Sequence, residues 1–284
     1  IPPRFGEFLL LQSGVELKNR MLASVACRQG IPVINTIHGE GYGIYDEPLF
    51  SLIGEQMYSS LLLGYGPEAV RKKSSFKYGF KKNLIYLESD AEQVKKYFEP
   101  EYKGIYKSWD QISFFYYPTT LSGSSHRYGP FRDTSDYFYI RWQKALLELF
   151  GSQIKIKTHP KEKYPSSIEL PAEQQATGGF EKLIPEIDVF IFDYIGTAFN
   201  IACATSKPVI YFDLGIRQIS THALEEIKKR TLYFDIKDKL PTKDDISQQL
   251  SFAPKQNFLT KKYSLSSQGV NRLEALERGL NNFF

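Results

Sequence analysis

The chain has 284 residues, of which 42% are hydrophobic, 15% aromatic and 24% charged; this balance excludes a disordered or collagen-like chain and fits an ordinary globular protein. At roughly 150 residues per domain the length allows about two domains. Lys and Arg number 36 against 32 Asp and Glu, a net charge of +4, too small an excess for a dedicated nucleic-acid binder, so no nucleic-acid partner is expected.

In chain order, residues 8–11 (FLLL) read as a short strand, residues 16–28 have the apolar spacing of a helix, and residues 32–37 (PVINTI) read as a second strand. Gly30 and Pro32 close the helix between them, so the two strands pair in parallel. The second strand runs into His38, Gly39, Glu40, Gly41, Tyr42 and Gly43, a loop with three glycines. Residues 47–63 look helical and residues 83–87 (NLIYL) extended, while residues 90–112 carry no clear period. A second alternating unit is clearer. Strands are expected at 112–117 (ISFFYY), 153–158 (QIKIKT), 188–192 (DVFIF) and 208–212 (PVIYF), with helices at 136–150, 180–185 and 197–204, and a last helix at 268–280. Strands alternating with helices over some 100 residues mean a doubly wound α/β arrangement. There are two such units, the first with little more than one strand, helix, strand repeat. The 19 Tyr and 21 Phe suit polar cleft walls as well as cores.

Cys27 and Cys203 are too few for a disulfide scaffold, and both lie in apolar helical contexts, which points to a reducing, cytoplasmic compartment. No run of 18 apolar residues occurs, so no membrane span is expected. Basic residues gather at Arg71, Lys72, Lys73, Lys77, Lys81 and Lys82, a group suited to a solvated face or to an anionic lipid surface or polyanionic substrate.

Ligands of open parallel sheets bind at the carboxyl ends of the strands, and four expected strand ends here carry polar residues. In residues 193–197 (DYIGT), Asp193 is followed by Gly196, which permits a tight turn, and Thr197, placed to cap the helix that contains Asn200; the free N–H groups of such a helix start suit a phosphate. Thr119, Thr120 and Ser122 supply hydroxyls after the strand at 112–117. Lys157, His159 and Pro160 place two cationic groups where a phosphate can be neutralised. His38, at a strand end before glycines, suits a general base on an incoming hydroxyl, with Glu40 to orient it or act itself. Each segment also has a plain structural reading as a turn or solvated loop. His126 and His222 lack comparable context and read as surface residues. There is no P-loop, no G-x-G-x-x-G, no G-x-S-x-G and no metal-ligand spacing, so neither a metal nor a cofactor is expected.

Taken together, H-G at residues 38–39, K-x-H-P at 157–160, D-Y-x-G-T-x-x-N at 193–200 and K-P-V-I-Y-F at 207–212 resemble the C-terminal part of GT-B glycosyltransferases and glycerophosphotransferases. The resemblance covers about residues 15–65 and 112–225. It extends to the CDP-glycerol glycerophosphotransferases of teichoic acid synthesis, to transferases of O-antigen and capsule loci, and to sialyl- and Kdo-transferases that hold CMP through an H-P pair. It implies an α/β, GT-B-like fold of two Rossmann-like lobes: an acceptor-side lobe at 1–110, expected to be partial because it shows little more than one strand, helix, strand repeat and the chain opens at Ile1 without Met, a nucleotide-donor lobe at 111–265, and a C-terminal helix at 266–284. His38 then matches the base, His159 and Pro160 the donor-phosphate pair, and residues 193–197 a T-D-Y-S-S-like turn in which Gly196 and Thr197 replace paired serines. The implied activity moves a sugar or polyol phosphate from a CMP- or CDP-linked or other nucleotide-activated donor to a glycan or lipid-linked glycan acceptor, metal-independently, with peripheral association at the inner face of the plasma membrane. A nucleotide-sugar epimerase or hydrolase and a non-catalytic sugar-nucleotide-binding module stay open beside it.

Overall fold

A computed structural model describes residues 8–12, 16–37, 39, 41, 43–46, 55–69, 84–101, 105, 107–118, 136–157, 168–215, 217–236, 240–251 and 257–283. The chain divides into two units, one formed by Ile1–Phe98, Ile219–Leu224 and Phe258–Phe284, the other by Glu99–Gln218 and Glu225–Asn257. Each is an α/β unit built on a parallel sheet.

The sheet of the first unit has four strands, β1 (Leu9–Leu11), β2 (Val33–Thr36), β3 (Leu61–Tyr65) and β4 (Ile85–Ser89), in the order β1-β2-β3-β4. Helix α1 (Leu17–Arg28) covers one face, where Ala23 and Ala26 pack with Leu11 and Val33. A short helical turn α2 (Gly66–Ala69) follows β3, and α3 (Glu92–Lys95) follows β4. The sequence suggested strands at 8–11, 32–37 and 83–87, which correspond to β1, β2 and β4, and a helix at 47–63; the structure instead places Leu61, Leu62 and Leu63 in a further strand, β3. The reason is burial on both sides. These leucines are only 1–3% exposed, and a strand covered on both faces reads as a continuous apolar run that periodicity cannot distinguish from a buried helix. Residues 47–54 of that expected helix lie outside the described residues.

The sheet of the second unit has five strands: β5 (Phe114–Tyr116), β6 (Ile154–Ile156), β7 (Val189–Phe192), β8 (Val209–Asp213) and β9 (Leu232–Asp235), in the order β6-β5-β7-β8-β9. Helix α4 (Asp136–Phe150) connects β5 to β6, α5 (Phe180–Leu183) precedes β7, α6 (Thr197–Ala204) connects β7 to β8, and α7 (Thr221–Arg230) precedes β9. Then come α8 (Lys243–Leu250), α9 (Phe258–Tyr263) and α10 (Arg272–Phe283). The strand order reverses between β5 and β7, because the chain leaves β5 for β6 on one side and returns past it to β7 on the other.

Alternation sorts the two faces of this sheet. Phe114, Tyr116, Ile154, Ile156, Val189, Ile191, Ile210 and Phe212 face α4 and α8, meeting Trp142, Leu146, Phe150, Ile246 and Leu250. The opposite face is aromatic. Phe115, Phe190 and Phe192 interleave with Phe180 of α5 and Phe199 of α6, with ring centroids 5.5–6.5 Å apart. Each fully buried Phe contributes about 1.5–3 kcal/mol by leaving water, and offset or edge-on ring pairs add to that. Much of the chain's phenylalanine thus supports the sheet whose strand ends carry the candidate site.

Candidate functional site

Of the residues proposed from the sequence, Lys157 and those at 193–200 are described, and both groups follow strands of the second sheet at their carboxyl ends. Lys157 follows β6, and its N–H donates to the Tyr116 carbonyl at 3.1 Å, which continues the β5–β6 pairing one residue beyond the strand. Asp193, Gly196 and Thr197 follow β7, whose Ile191 carbonyl accepts from Tyr117 N–H at 3.1 Å. Since β6 and β7 flank β5 on either side, Lys157 and the turn into α6 follow strands that lie about 10 Å apart across β5, at the point where the strand order reverses. That is the place where open parallel sheets take ligands. Thr119, Thr120, Ser122, His159 and Pro160 lie outside the described residues, as do His38, Glu40 and the basic group at residues 71–82.

The turn into α6 differs in two details from the sequence expectation. Gly196, not Thr197, is the residue that precedes the helix, and Thr197 is its first helical residue, with no side chain capping the start. The first N–H groups of any helix have no partner within it, so this end offers donors and the positive end of eight aligned peptide dipoles. Gly196 is also extended (φ −154°), so it is not needed there for a left-handed turn. Its lack of a side chain serves packing: a Cβ would meet Cε1 of Tyr194 at 2.7 Å. The Tyr194 ring lies over the glycine, and the Arg217 guanidinium stands 5.6 Å from that ring's centroid. Asn200 is buried inside α6, with its N–H donating to the Gly196 carbonyl at 3.1 Å.

Beneath the turn is a polar group that the sequence reading missed. The Asp193 carboxylate, 5% exposed, accepts from the Tyr116 hydroxyl at 2.5 Å and from the Tyr139 hydroxyl at 2.7 Å, both on Oδ2. Gln143 Nε2 donates to the Tyr116 hydroxyl at 3.4 Å. Burial above all, and then the charge of Asp193, push the Tyr116 phenol well above its ordinary pKa, so it remains a donor. Tyr116 was hidden in an apolar strand and Tyr139 in a helix whose other core-facing positions are apolar apart from Gln143. The one available signal was a helix with Tyr139, Trp142, Gln143 and Leu146 on a single face, where a buried glutamine calls for polar company.

On the neighbouring strands, Asp213 at the end of β8 accepts from Gly215 N–H at 2.8 Å and from the Tyr233 hydroxyl at 2.6 Å. Burial, the hydrogen bond and the Asp213 charge raise the Tyr233 phenol pKa in turn.

The first unit has a glycine-rich edge of its own after β2. Gly43 (φ +80°) and Gly66 (φ +65°) adopt left-handed backbone, and a Cβ at either would meet another segment's carbonyl at 2.6 Å: Glu68 O for Gly43 and Lys262 O for Gly66. Only glycine lets these segments approach so closely. Ser220 binds the same loop, its N–H donating to Ile44 O at 2.8 Å and its hydroxyl to Gly43 O at 3.2 Å. Two residues on, His222 Nε2 is 3.7 Å from Glu68 Oε1. His222 is half exposed, as a surface histidine would be, but it has a carboxylate neighbour that its sequence context did not show.

Among the described residues no group of three or more His, Cys, Asp or Glu could hold a metal ion, and no helix is long and apolar enough to cross a membrane. No family model matches the chain, and no curated protein matches its sequence. A solved structure, Spinosyn Forosaminyltransferase SpnP, is similar to 97% of this chain and 76% of its own, at 11% sequence identity and a TM-score of 0.49.

Proposed function

We propose that the protein is a nucleotide-donor-dependent transferase, moving a sugar or polyol phosphate from a CMP- or CDP-linked or related donor to a glycan hydroxyl. The observation that carries this reading is the convergence of Lys157, the end of β5 and the uncapped start of α6 on three adjacent strand ends at the reversal of a parallel sheet. Lys157, with His159 two residues on in the sequence, supplies positive charge, and the α6 N–H groups supply donors, to the leaving nucleotide phosphate. His38 and Glu40 are the candidates for the base that takes the acceptor proton as the acceptor oxygen bonds to the transferred group. In the same displacement the bond from that group to the nucleotide phosphate breaks, its electron pair going to the phosphate oxygen.

Thermal unfolding with CMP, CDP, UDP, GDP and ADP tests the first step. A ligand at 100 times its Kd stabilises by about 2.7 kcal/mol, enough to raise the unfolding midpoint by several degrees. At least one of the five nucleotides is expected to do so for the wild type, and Lys157→Ala and His159→Ala are expected to weaken the effect. If none of the five stabilises the wild type, the reading is wrong.

A further inference from the structure

The buried Asp193 carboxylate lies where β5, β7 and α4 meet. Asp193 leaves β7, Tyr116 closes β5 and Tyr139 lies in the first turn of α4, so a single carboxylate oxygen joins three elements at the strand-order reversal. All three side chains are more than nine-tenths buried. Taking a carboxylate out of water is unfavourable, and apolar groups of similar volume often give a protein of equal or greater stability. A Phe, Leu, Phe set removes that cost at the loss of the hydroxyl to which Gln143 Nε2 donates, so the fold itself does not call for the network. What it would not do is fix direction. Two hydroxyls from different elements hold one oxygen of Asp193, and its backbone begins the four-residue turn that ends at the Gly196 cap of α6.

We propose that Tyr116 and Tyr139 are positioning residues of the donor site, acting through Asp193 to fix the turn that places Thr197 and the first N–H groups of α6 opposite the end of β5. The inference rests on the transferase reading above. Neither tyrosine touches the phosphate; each sets where the groups that do touch it stand. Preorganised donors of this kind lose their value when the surrounding support lets them move by about an ångström.

The test uses the full chain and whichever of CMP, CDP, UDP, GDP and ADP stabilises the wild type most. Two quantities are measured for Tyr116→Phe, Tyr139→Phe and the triple variant Tyr116→Phe, Tyr139→Phe, Asp193→Leu: the urea midpoint without nucleotide, and the nucleotide Kd by calorimetry well below the thermal midpoint. The single variants are expected to bind at least ~10-fold more weakly while folded, as one lost hydrogen bond to a charged group allows. The triple variant is expected to remain folded, its midpoint lowered by no more than the orphaned Gln143 donor explains, with nucleotide affinity reduced by the same factor or more. Folded variants that bind within twofold of wild type would overturn the proposal. So would a triple variant that fails to fold, since the network would then be needed for stability itself. Failure of the transferase reading is seen separately, in a wild type that binds none of the five nucleotides before any variant is made.

Discussion

Asp188, just before β7, illustrates how single polar groups anchor the second sheet. Its carboxylate accepts from Lys107 Nζ at 2.8 and 3.0 Å and from Ser113 N–H at 3.0 Å. Burial is the largest single influence and raises its pKa, but the hydrogen bonds from Lys107 and Ser113, with the charges of Lys107 and Lys207, outweigh it and bring the group below its ordinary 3.8. A carboxyl whose pKa is lower in the folded than in the unfolded chain contributes stability above the unfolded value and loses it as pH falls through the folded one. The advantage of wild type over Asp188→Asn in urea unfolding is therefore expected at pH 7 and to shrink as the pH is lowered below about 4. An advantage that is constant from pH 7 to pH 2 would contradict this origin. Cys203 shows the opposite case: full burial pushes its thiol up to about 12, although Arg230 nearby lowers it, so the group behaves as a small apolar side chain, as its helical context suggested.

Helix α6 is only eight residues long, too short to hold itself in water. Phe199 to Ala204 are all buried, and the far end is capped by Arg230, whose side chain is 1% exposed. Its Nε donates to Cys203 O at 2.8 Å, and Nη2 donates to Thr205 O at 2.8 Å and Lys207 O at 3.1 Å; Asn257 Nδ2 adds a bond to Cys203 O at 2.5 Å. A cation at the carboxyl end of a helix also meets the negative end of its dipole. The helix that offers donors at one end is thus tied by a buried guanidinium at the other. Arg230→Ala leaves several carbonyls without a donor and opens a cavity, and is expected to lower stability by ~3 kcal/mol or more in urea unfolding. Arg230→Lys should recover only part, because an ammonium cannot span carbonyls that a planar fork reaches together. The bounds of α6 and α4 were legible in the sequence, since each is an apolar period delimited by Gly or polar residues. Strand β9 was not: it is four residues long, with only Leu232 buried, and lies at the sheet edge.

At the scale of the chain, the final helix belongs to the first unit. In α10, Ala275, Leu276 and Leu280 cover Ile34, Leu61, Leu63, Ile85 and Leu87. Gly279 lies against the Leu61 and Leu87 side chains, where a larger residue would push the helix off the sheet. Removal of residues 272–284 is expected to strip one face of β2, β3 and β4. Hydrogen exchange would then show loss of protection in those strands, with β5, β7 and β8 retaining theirs; unchanged protection in β3 and β4 would refute the assignment.

The sequence by itself determined the α/β class, the bounds of helices α4 and α6 and the approximate places of β5 to β8, because period, β-propensity and Gly or Pro boundaries are local properties of a few residues. It also placed Lys157 and Asp193 to Thr197 at strand ends, for the same reason. Only the tertiary structure decided that β5 lies between β6 and β7, which makes those strand ends neighbours, and that Asp193 faces inward to Tyr116 and Tyr139. Strand order and the partners of a buried carboxylate depend on which distant segments pack together, and no local period records that choice.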